Sequence, residues 1–187
     1  TSVAETGTTD TFTVVLDAQP DSDVVFIIAS NDTGEATVTS ALTFTNANWN
    51  TPQTVTVTGV DDDIIDGTIT TTIDIAINDG ASDNNFDPLS PQTVSAATTD
   101  DDVAGFTIAE TDGSTSVAES GTTDTFTVVL DAEPASDVVL TITSDDTGEA
   151  TVTSALTFTS ANWDTPQTVT VTGVDDDIID GTVTSTL

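Results

Sequence analysis

Residues 42–67 read LTFTNANWNTPQTVTVTGVDDDIIDG, and this stretch decides the fold class. Apolar residues alternate with threonines in the runs on either side of the turn that carries Trp49 and Pro52. Such alternation predicts half-buried β-strands, because successive side chains of a strand point to opposite faces. β-Branched residues also pack well on a pleated surface. The stretch therefore predicts two strands joined by a turn and followed by a cluster of aspartates.

Similar runs recur along the chain at the short spacing that is typical of a β-sandwich. They predict strands at 11–16, 24–29, 36–44 with a break near Ser40, 53–58, 68–77, 92–98 and 105–110. About seven strands in about a hundred residues predict an all-β, immunoglobulin-like sandwich.

The chain contains an internal repeat. Its first residues, TSVAETGTTDTFTVVLDAQP, return from Thr115 as TSVAESGTTDTFTVVLDAEP. Only 12 of the 73 positions from 115 to 187 differ from their partners in the first copy. The chain is therefore a tandem array of one module.

The substitutions between the two copies separate a core face from a wet face. Along 24–29, every second residue from Val24 to Ile28 stays apolar in the second copy, whereas Ile27 and Ala29 become threonines. Because side chains alternate along a strand, the first set is predicted to face the core. The second set is predicted to face solvent.

The repeat divides the chain into modules at 1–103 and 104–187. Residues 105–110 predict an opening strand for the second module, and the first module shows no counterpart before Thr1. The second module reaches Leu187 before any counterpart of 68–102 is complete. Because incomplete sandwiches expose strand edges, we expect either a longer array or a neighbouring chain that supplies the missing strands.

Composition limits the classes of partner. The 187 residues include 33 Asp plus Glu and no Lys, Arg or His, which gives a formal net charge of -33. A protein binds nucleic acids or anionic membranes through basic residues on its surface, so neither is expected as a partner. No apolar run approaches the roughly 20 residues that cross a bilayer, so no direct membrane insertion is expected. Cysteine is absent, which excludes disulfides and thiolate ligands.

Catalysis is not expected either. Paired carboxylates can act as acid and base in glycoside hydrolysis. Here, however, no His or Lys is present to tune a proton transfer, and no cation is present to stabilise an oxyanion. The acids also cluster in loops that carry only negative charge. We therefore expect a protein that is not an enzyme.

Two acidic clusters indicate cation binding. Residues 60–67 read VDDDIIDG directly after the fifth strand, and Asp100, Asp101 and Asp102 directly follow the last strand. Neighbouring carboxylates repel one another, and a hard cation with six to eight oxygen ligands relieves that repulsion. Calcium fits better than magnesium, which keeps its waters and takes few carboxylates. The alternative is that these acids are solvated turn residues.

Three parts of the sequence resemble a known family. They are Val3-Ala4-Glu5, the stretch 42–67, and DDDVAGFTI at 100–108. Together they are similar to the Calx-beta module, which occurs in sodium–calcium exchangers, in an integrin chain and in large bacterial surface proteins. The resemblance covers essentially the whole repeat.

The resemblance implies a calcium site at one tip of each module. In the first module it implies these ligand candidates: Glu5, Glu35 with Asp32 as the alternative, Asp61, Asp62, Asp63, Asp66, Asp100, Asp101 and Asp102. In the second module the equivalents are Glu119, Glu149 with Asp146 as the alternative, Asp175, Asp176, Asp177 and Asp180. The closing aspartates of the second module are missing from the chain.

The resemblance also implies an extracellular role at a bacterial cell surface. We expect calcium-dependent repeats that stiffen an extended adhesin or surface fibre, with neighbouring repeats of the same array as partners. One rival is a subunit of a self-assembling extracellular filament or surface layer, in which identical chains are the partners. Another rival is a calcium-sensing regulatory module.

Overall fold

A computed structural model describes residues 1–179 and 181–187 and confirms an all-β, immunoglobulin-like sandwich. The chain forms two compact units. Unit 1 consists of residues 1–62 and 66–101, and unit 2 consists of residues 63–65 and 102–187. The helices among the described residues are two short 3-10 turns, at Asp79–Ala81 and Thr111–Gly113. No helix in the described part of the chain is long and apolar enough to span a membrane.

Unit 1 is a sandwich of two sheets. Its strands are β1 (Ser2–Ala4), β2 (Thr9–Val14), β3 (Val24–Ser30), β4 (Ala36–Val38), β5 (Ala41–Phe44), β6 (Gln53–Gly59), β7 (Ile69–Ile77) and β8 (Gln92–Thr99). One sheet has the order β1-β8-β7-β3-β5 and the other the order β2-β6-β4. The predicted break near Ser40 separates β4 from β5.

The threonine alternation forms ladders on the outer face of the smaller sheet. In the antiparallel pair β2 and β6, Thr11 lies opposite Thr56 and Thr13 lies opposite Thr54. Directly opposite residues of an antiparallel pair share a face, and threonine pairs stabilise that face. The intervening pair of Phe12 and Val55 points the other way, toward the second sheet.

The core of unit 1 lies between the two sheets. Val24 and Ile28 on β3 are buried together with Val55 and Val57 on β6. Ile27, on the opposite face of β3, is 48% exposed. The predicted assignment of core and wet faces on this strand is therefore confirmed. Trp49 packs against the same core.

The first strand, β1, was not expected from the sequence. Its three residues pair in parallel with the end of β8, with Val3 opposite Thr98 and Ala4 opposite Thr99. A strand this short carries no measurable alternation, so its pattern gives no signal. The pairing brings the start of the module beside the end of its last strand.

Unit 2 repeats part of this architecture. Its strands are β9 (Phe106–Glu110), β10 (Thr123–Leu130), β11 (Val138–Thr141), β12 (Ala150–Val152), β13 (Ala155–Phe158) and β14 (Gln167–Gly173). One sheet has the order β12-β14-β10-β9, and β11 pairs with β13. Phe126, Val169 and Phe158 are buried in a core that joins both sheets.

Candidate metal centre

Glu5 is held in a tight turn at one end of unit 1. Its backbone N–H donates to the carbonyl of Thr99 at 3.1 Å, which ties the residue to the end of β8. Gly7 closes the turn with φ of 78°, a left-handed conformation that glycine adopts without strain. Gly59, the last residue of β6, lies so close that a Cβ atom there would collide with the carbonyl oxygen of Ala4. The turn that carries Glu5 is thereby held between β8 and β6.

Glu35 approaches the same end from the loop before β4. Its carbonyl oxygen accepts hydrogen bonds from the N–H of Val60 at 2.9 Å and from the hydroxyl of Thr98 at 3.3 Å. One bond comes from the residue after β6 and the other from β8. The backbone of Glu35 is therefore fixed by both sheets.

The acidic loops after β6 and β8 are also linked to each other. The backbone N–H of Gly67 donates to Asp100 Oδ2 at 2.8 Å. Gly67 has φ of 78°, so its position again suits glycine. This bond connects the loop that carries Asp66 with the loop that follows the last strand.

The carboxylates of Glu5, Glu35 and Asp66 converge. One oxygen from each lies within 4.8 Å of the other two. Glu5 is 1% exposed and Glu35 is 7% exposed, whereas Asp66 is exposed. Neither carboxylate oxygen of Glu5 accepts a hydrogen bond of normal geometry, and neither does Oε2 of Glu35. Buried polar atoms are nearly always satisfied, so these oxygens need a partner.

Without a bound cation, the surroundings of the cluster disfavour the ionised form of its carboxylates. The pKa of Glu5 is raised from 4.5 to about 7, chiefly by burial. The backbone N–H of Asp101 offsets part of the rise, and the charges of Asp100, Asp62 and Asp66 contribute to it. The pKa of Glu35 is raised by burial and then chiefly by Asp66 and Asp62.

Asp66 shows the same direction of change. Its pKa is raised by desolvation first and then by the charges of Asp62 and Asp100. A cation among these groups would reverse the effect, because an adjacent positive charge stabilises ionised carboxylates. The chain itself has no cationic side chain with which to do so.

The donor set fits calcium. All the converging atoms are carboxylate oxygens, which hard cations prefer, and the set draws on loops that are separate in sequence. Glu5, Glu35 and Asp66 would be the direct ligands. Each carboxylate can bind through one oxygen or two, and backbone carbonyls and water complete such a shell.

The other acids predicted for the first module take different places. Asp100 is half-buried, and one of its carboxylate oxygens lies within 4.8 Å of one of Glu5. Asp62 is half-buried and acts on the cluster through its charge, whereas Asp61 and Asp101 are exposed. Asp32, the alternative to Glu35, instead accepts the N–H of Gly34 at 3.1 Å and so stabilises the turn.

Two further acids of the predicted set belong to unit 2. Asp63 lies in the segment 63–65, and Asp102 begins the longer segment of that unit. Adjacent carboxylates in a run cannot all point the same way, because successive side chains of an extended chain alternate in direction. A triple aspartate therefore does not predict three ligands for one ion.

In unit 2 the equivalent turns form, but the described residues show no comparable cluster. The N–H of Ala118 donates to the hydroxyl of Thr122 at 2.7 Å, as Ala4 does to Thr8 in unit 1 at 2.6 Å. The predicted ligands stand as follows: Glu119, Glu149 and Asp176 are half-buried, Asp146, Asp175 and Asp177 are exposed, and Asp180 lies outside the described residues.

The difference between the units has a physical cause. Glu5 is covered by the end of β8, to which its backbone is bonded. Among the described residues of unit 2, no strand equivalent to β8 lies beside Glu119, which instead borders a cavity of about 940 Å³. The same local sequence therefore gives a buried acid in unit 1 and a half-buried acid in unit 2.

Asp83 is a buried acid that sequence reasoning missed. It is 4% exposed, and its carboxylate accepts hydrogen bonds from the N–H of Asp21 at 2.7 Å, of Ser22 at 3.2 Å and of Asn85 at 2.9 Å. These bonds lower its pKa, with the Asn85 N–H as the largest cause. The Asp-x-Asn spacing in an Asn-rich turn is a weak signal for such a local bond. Asp83 is satisfied by the protein, unlike Glu5.

Comparisons with known proteins show only distant likeness. No protein-family model matches the chain, and no curated protein matches it. Among solved structures, the calcium binding domain CBD12 of CALX1.1 matches with a TM-score of 0.40 and 16% identity, covering 94% of this chain and 73% of that one. CBD12 from CALX1.2 matches with a TM-score of 0.36 and 14% identity, covering 92% and 71%.

A third solved structure is SSP-19, an MSP-domain protein like family member in Caenorhabditis elegans. It matches with a TM-score of 0.34 and 15% identity, covering 52% of this chain and 90% of that one. At these TM-scores and identities the likenesses carry no argument about this chain. The candidate metal centre rests on its own geometry.

Proposed function

We propose that unit 1 is a calcium-binding module whose ion is held by Glu5, Glu35 and Asp66. The observation that carries the proposal is Glu5, which is 1% exposed and whose carboxylate oxygens accept no hydrogen bond of normal geometry. Burying a carboxylate without a partner is costly, and proteins satisfy such groups by pairing or by metal coordination. No cationic side chain is present to form an ion pair.

Binding at this place stiffens the end of the sandwich. The three ligands come from the turn after β1, the loop before β4 and the loop after β6, and the hydrogen bond between Gly67 and Asp100 adds the loop after β8. One ion therefore cross-links four chain segments. A site of the weak extracellular kind, with a dissociation constant on the order of 10⁻⁴ to 10⁻³ M, is filled where calcium is millimolar.

The wider role that we propose is structural and non-catalytic. Near-identical tandem modules suit a spacer in an extended extracellular adhesin or surface fibre, in which neighbouring repeats are the partners. A calcium-sensing module would use the same site and would show a change of conformation as well as of stability.

Thermal unfolding tests the calcium site. We expect the transition of unit 1 to move up in calcium and not in equimolar magnesium, relative to chelator. At a calcium concentration of one hundred times the dissociation constant, binding adds about 2.7 kcal/mol. For a domain of about a hundred residues this corresponds to a rise of about 10 to 20 °C.

The tandem repeat offers a matched control for this experiment. Glu5→Gln removes a buried candidate ligand, and Glu119→Gln makes the same change at the equivalent, half-buried position of unit 2. We expect the first variant to lose the calcium response and the second to keep it. Equal responses in both variants would contradict the proposed site, because they would show general screening of the acidic chain.

A further inference from the structure

The short strand β1 is held on two sides by different partners. On one side it pairs with β8, and the carbonyl oxygen of Thr1 and the N–H of Glu5 bond to the backbone of that strand. Because the hydrogen-bonding groups of a strand alternate in direction, the N–H groups of Ser2 and Ala4 point away from β8. These two N–H groups therefore need acceptors from another part of the chain.

Two side chains at the start of β2 supply these acceptors. The N–H of Ala4 donates to the hydroxyl of Thr8 at 2.6 Å, and the N–H of Ser2 donates to Asp10 Oδ2 at 3.0 Å. Asp10 Oδ1 accepts the N–H of Thr11 at 2.7 Å, so this carboxylate connects β1 with β2. The strand that leads to the proposed ligand is thereby held by side chains as well as by β8.

Thr8 also links the two turns that carry the buried acids. Its carbonyl oxygen accepts the N–H of Gly59 at 3.0 Å, and the next residue, Val60, donates to the carbonyl of Glu35 at 2.9 Å. The end of β6 therefore holds the turn of Glu5 through Thr8 and the loop of Glu35 through Val60. A displacement of Thr8 would change the separation of the two carboxylates.

The same hydrogen bonds form in unit 2. The N–H of Ala118 donates to the hydroxyl of Thr122 at 2.7 Å, and the N–H of Ser116 donates to Asp124 Oδ2 at 2.7 Å. The carbonyl of Thr122 accepts the N–H of Gly173 at 3.0 Å. Each contact of Thr8 and Asp10 with β1 and β6 therefore has a counterpart in the second copy.

This recurrence shows that the arrangement is local. Among the described residues of unit 2, no strand pairs with residues 116–118, and no acids converge as they do in unit 1. The hydrogen bonds therefore form without a partner strand and without the acid cluster. The sequence accounts for this, because residues 7–14 are identical to residues 121–128.

The two side chains act on the site through the backbone. Thr8 is exposed and Asp10 is half-buried, and the carboxylate of Asp10 does not belong to the converging groups. The charges that raise the pKa of Glu5 are those of Asp100, Asp62 and Asp66. Asp10 therefore influences Glu5 by holding β1 and not by its charge.

A site that is already arranged loses less free energy to ordering when its ligand binds. If only a fraction of the molecules hold the turn in place, the apparent affinity falls by that fraction. Calcium takes six to eight oxygens, and here the converging oxygens come from loops that are separate in sequence. The bonds that hold these loops should therefore contribute to the affinity.

We propose that Thr8 and Asp10 are positioning residues of the calcium site, which hold the turn of Glu5 in its ion-binding place before the ion arrives. This inference rests on the calcium site proposed above. Thr8 has the larger effect, because its hydroxyl bonds to the residue directly before Glu5 and its carbonyl bonds to β6. Asp10 has the smaller effect, because its bond lies further away, at Ser2.

Calcium titration of Thr8 variants tests the positioning role. Valine keeps the shape of threonine but cannot accept a hydrogen bond, whereas serine keeps the hydroxyl. We expect Thr8→Val to weaken calcium binding about three- to tenfold, and Thr8→Ser to stay within about twofold of the parent. The titrations are done well below the unfolding transition and in about 0.15 M salt. A residue with only a structural role would lower the unfolding transition and leave the affinity of the folded chain unchanged.

Unit 2 supplies matched controls. Thr122→Val removes the same hydrogen bond there, and Asp124→Asn removes the same carboxylate. We expect both to leave the calcium affinity within about twofold of the parent, because distant sites act independently. Asp10→Asn should weaken binding about two- to fivefold, because an amide offers one acceptor oxygen to two N–H groups. Equal losses from Asp10→Asn and Asp124→Asn would show an effect of net charge and would contradict the role of Asp10.

Hydrogen exchange tests whether the arrangement precedes the ion. In chelator, the N–H of Ala4 should exchange slowly in the parent chain, and calcium should change its rate little. Thr8→Val should speed the exchange of the Ala4 and Glu5 N–H groups at least about tenfold, because local opening becomes more frequent. An Ala4 N–H that exchanges fast in chelator and slowly only in calcium would overturn an arrangement held before the ion arrives.

The outcomes separate this inference from the calcium site itself. A parent chain that binds no calcium contradicts the proposed function, and the positioning role falls with it. A parent chain whose calcium binding depends on Glu5, together with a Thr8→Val variant of unchanged affinity, contradicts the positioning role alone. An equal loss of affinity in Thr8→Val and Thr8→Ser also contradicts it, because the hydroxyl would then not be the group that matters.

Discussion

The carboxylates of Glu5 and Glu35 lie within 4.8 Å of each other, although each side chain is more than nine-tenths buried. The two residues are 30 positions apart in sequence, one in the turn after β1 and the other in the loop before β4. Like charges at this distance in a desolvated site repel strongly. The pair is stable only when it is partly protonated or when a cation lies between its oxygens.

The stability of the metal-free chain should fall as pH rises from about 4.5 to about 7. The pKa of Glu5 is raised from 4.5 to about 7 in the folded state, so in this range the folded chain holds a proton that the unfolded chain has released. The stabilisation is complete below the ordinary pKa and is lost as pH passes the folded value. We expect a loss on the order of 1–3 kcal/mol, measured by urea unfolding in chelator.

Glu5→Gln provides the control for this pH dependence. Glutamine resembles the protonated glutamate, so the variant should lose most of the slope and be more stable than the parent at pH 7.5 in chelator. Asp10, Asp83 and Asp124 have lowered pKa values, and their contribution is lost only as pH falls below the ordinary value of 3.8. The pH range in which these aspartates affect stability therefore lies below the range in which Glu5 does. A parent chain whose stability rises between pH 4.5 and 7 would contradict the assignment.

Calcium binding near pH 6.5 should release protons. The pKa of Glu5 is about 7 in the metal-free protein, so the cluster is partly protonated there, and ligands must ionise to bind the metal. Titration calorimetry in buffers of different ionisation enthalpy measures the number released. We expect about one proton at pH 6.5 and almost none at pH 8.5. If calcium binding released the same number of protons at pH 6.5 and at pH 8.5, the ion would have to bind outside this cluster.

Gly59→Ala should destabilise unit 1 and weaken calcium binding together. The new Cβ would collide with the carbonyl oxygen of Ala4, and so displace the turn that carries Glu5. Overpacking of this kind costs about 1–3 kcal/mol, measured by urea unfolding. Gly80→Ala is the control, because the nearest atom to its Cβ is Asn78 Oδ1 at 3.9 Å. Equal effects of the two substitutions would show that the close approach at Gly59 has no special role.

Asp83→Asn should destabilise unit 1 by the same amount in calcium and in chelator. Both oxygens of its carboxylate accept hydrogen bonds from backbone N–H groups. In asparagine, an NH₂ group would replace one of these oxygens and would face a backbone N–H that it cannot accept. Leaving such a buried group unsatisfied costs about 1–3 kcal/mol. Asp79→Asn, at an exposed position nearby, should be neutral. A calcium-dependent difference at Asp83 would link it to the metal centre.

Much of the fold was predictable because local alternation determines which face of a strand is buried. The exchange of Ile27 and Ala29 for threonine in the second copy identified the wet face of β3, and Ile27 is 48% exposed. β1 was not predictable, because three residues give no period and their pairing partner lies 95 residues away.

The sequence predicted which acidic residues are candidates for the site, but it did not predict which of their carboxylates are buried and lie close together. Glu5 and Glu119 have nearly the same neighbours in sequence, yet Glu5 is buried and Glu119 is half-buried. The difference comes from β8, which covers Glu5 through a long-range pairing. A cluster of aspartates also does not indicate which carboxylates converge, and the one at 61–63 contributes no ligand to the group formed by Glu5, Glu35 and Asp66.

The most direct test of the calcium site is the stoichiometry of calcium binding to the full chain at pH 7.5, measured by calorimetry in about 0.15 M salt with millimolar magnesium present. The salt and magnesium suppress general binding to the acidic surface. We expect at least one calcium-specific site that Glu5→Gln removes and Glu119→Gln preserves. Calcium binding that survives Glu5→Gln unchanged, or that magnesium abolishes completely, would contradict a calcium site at the buried end of unit 1.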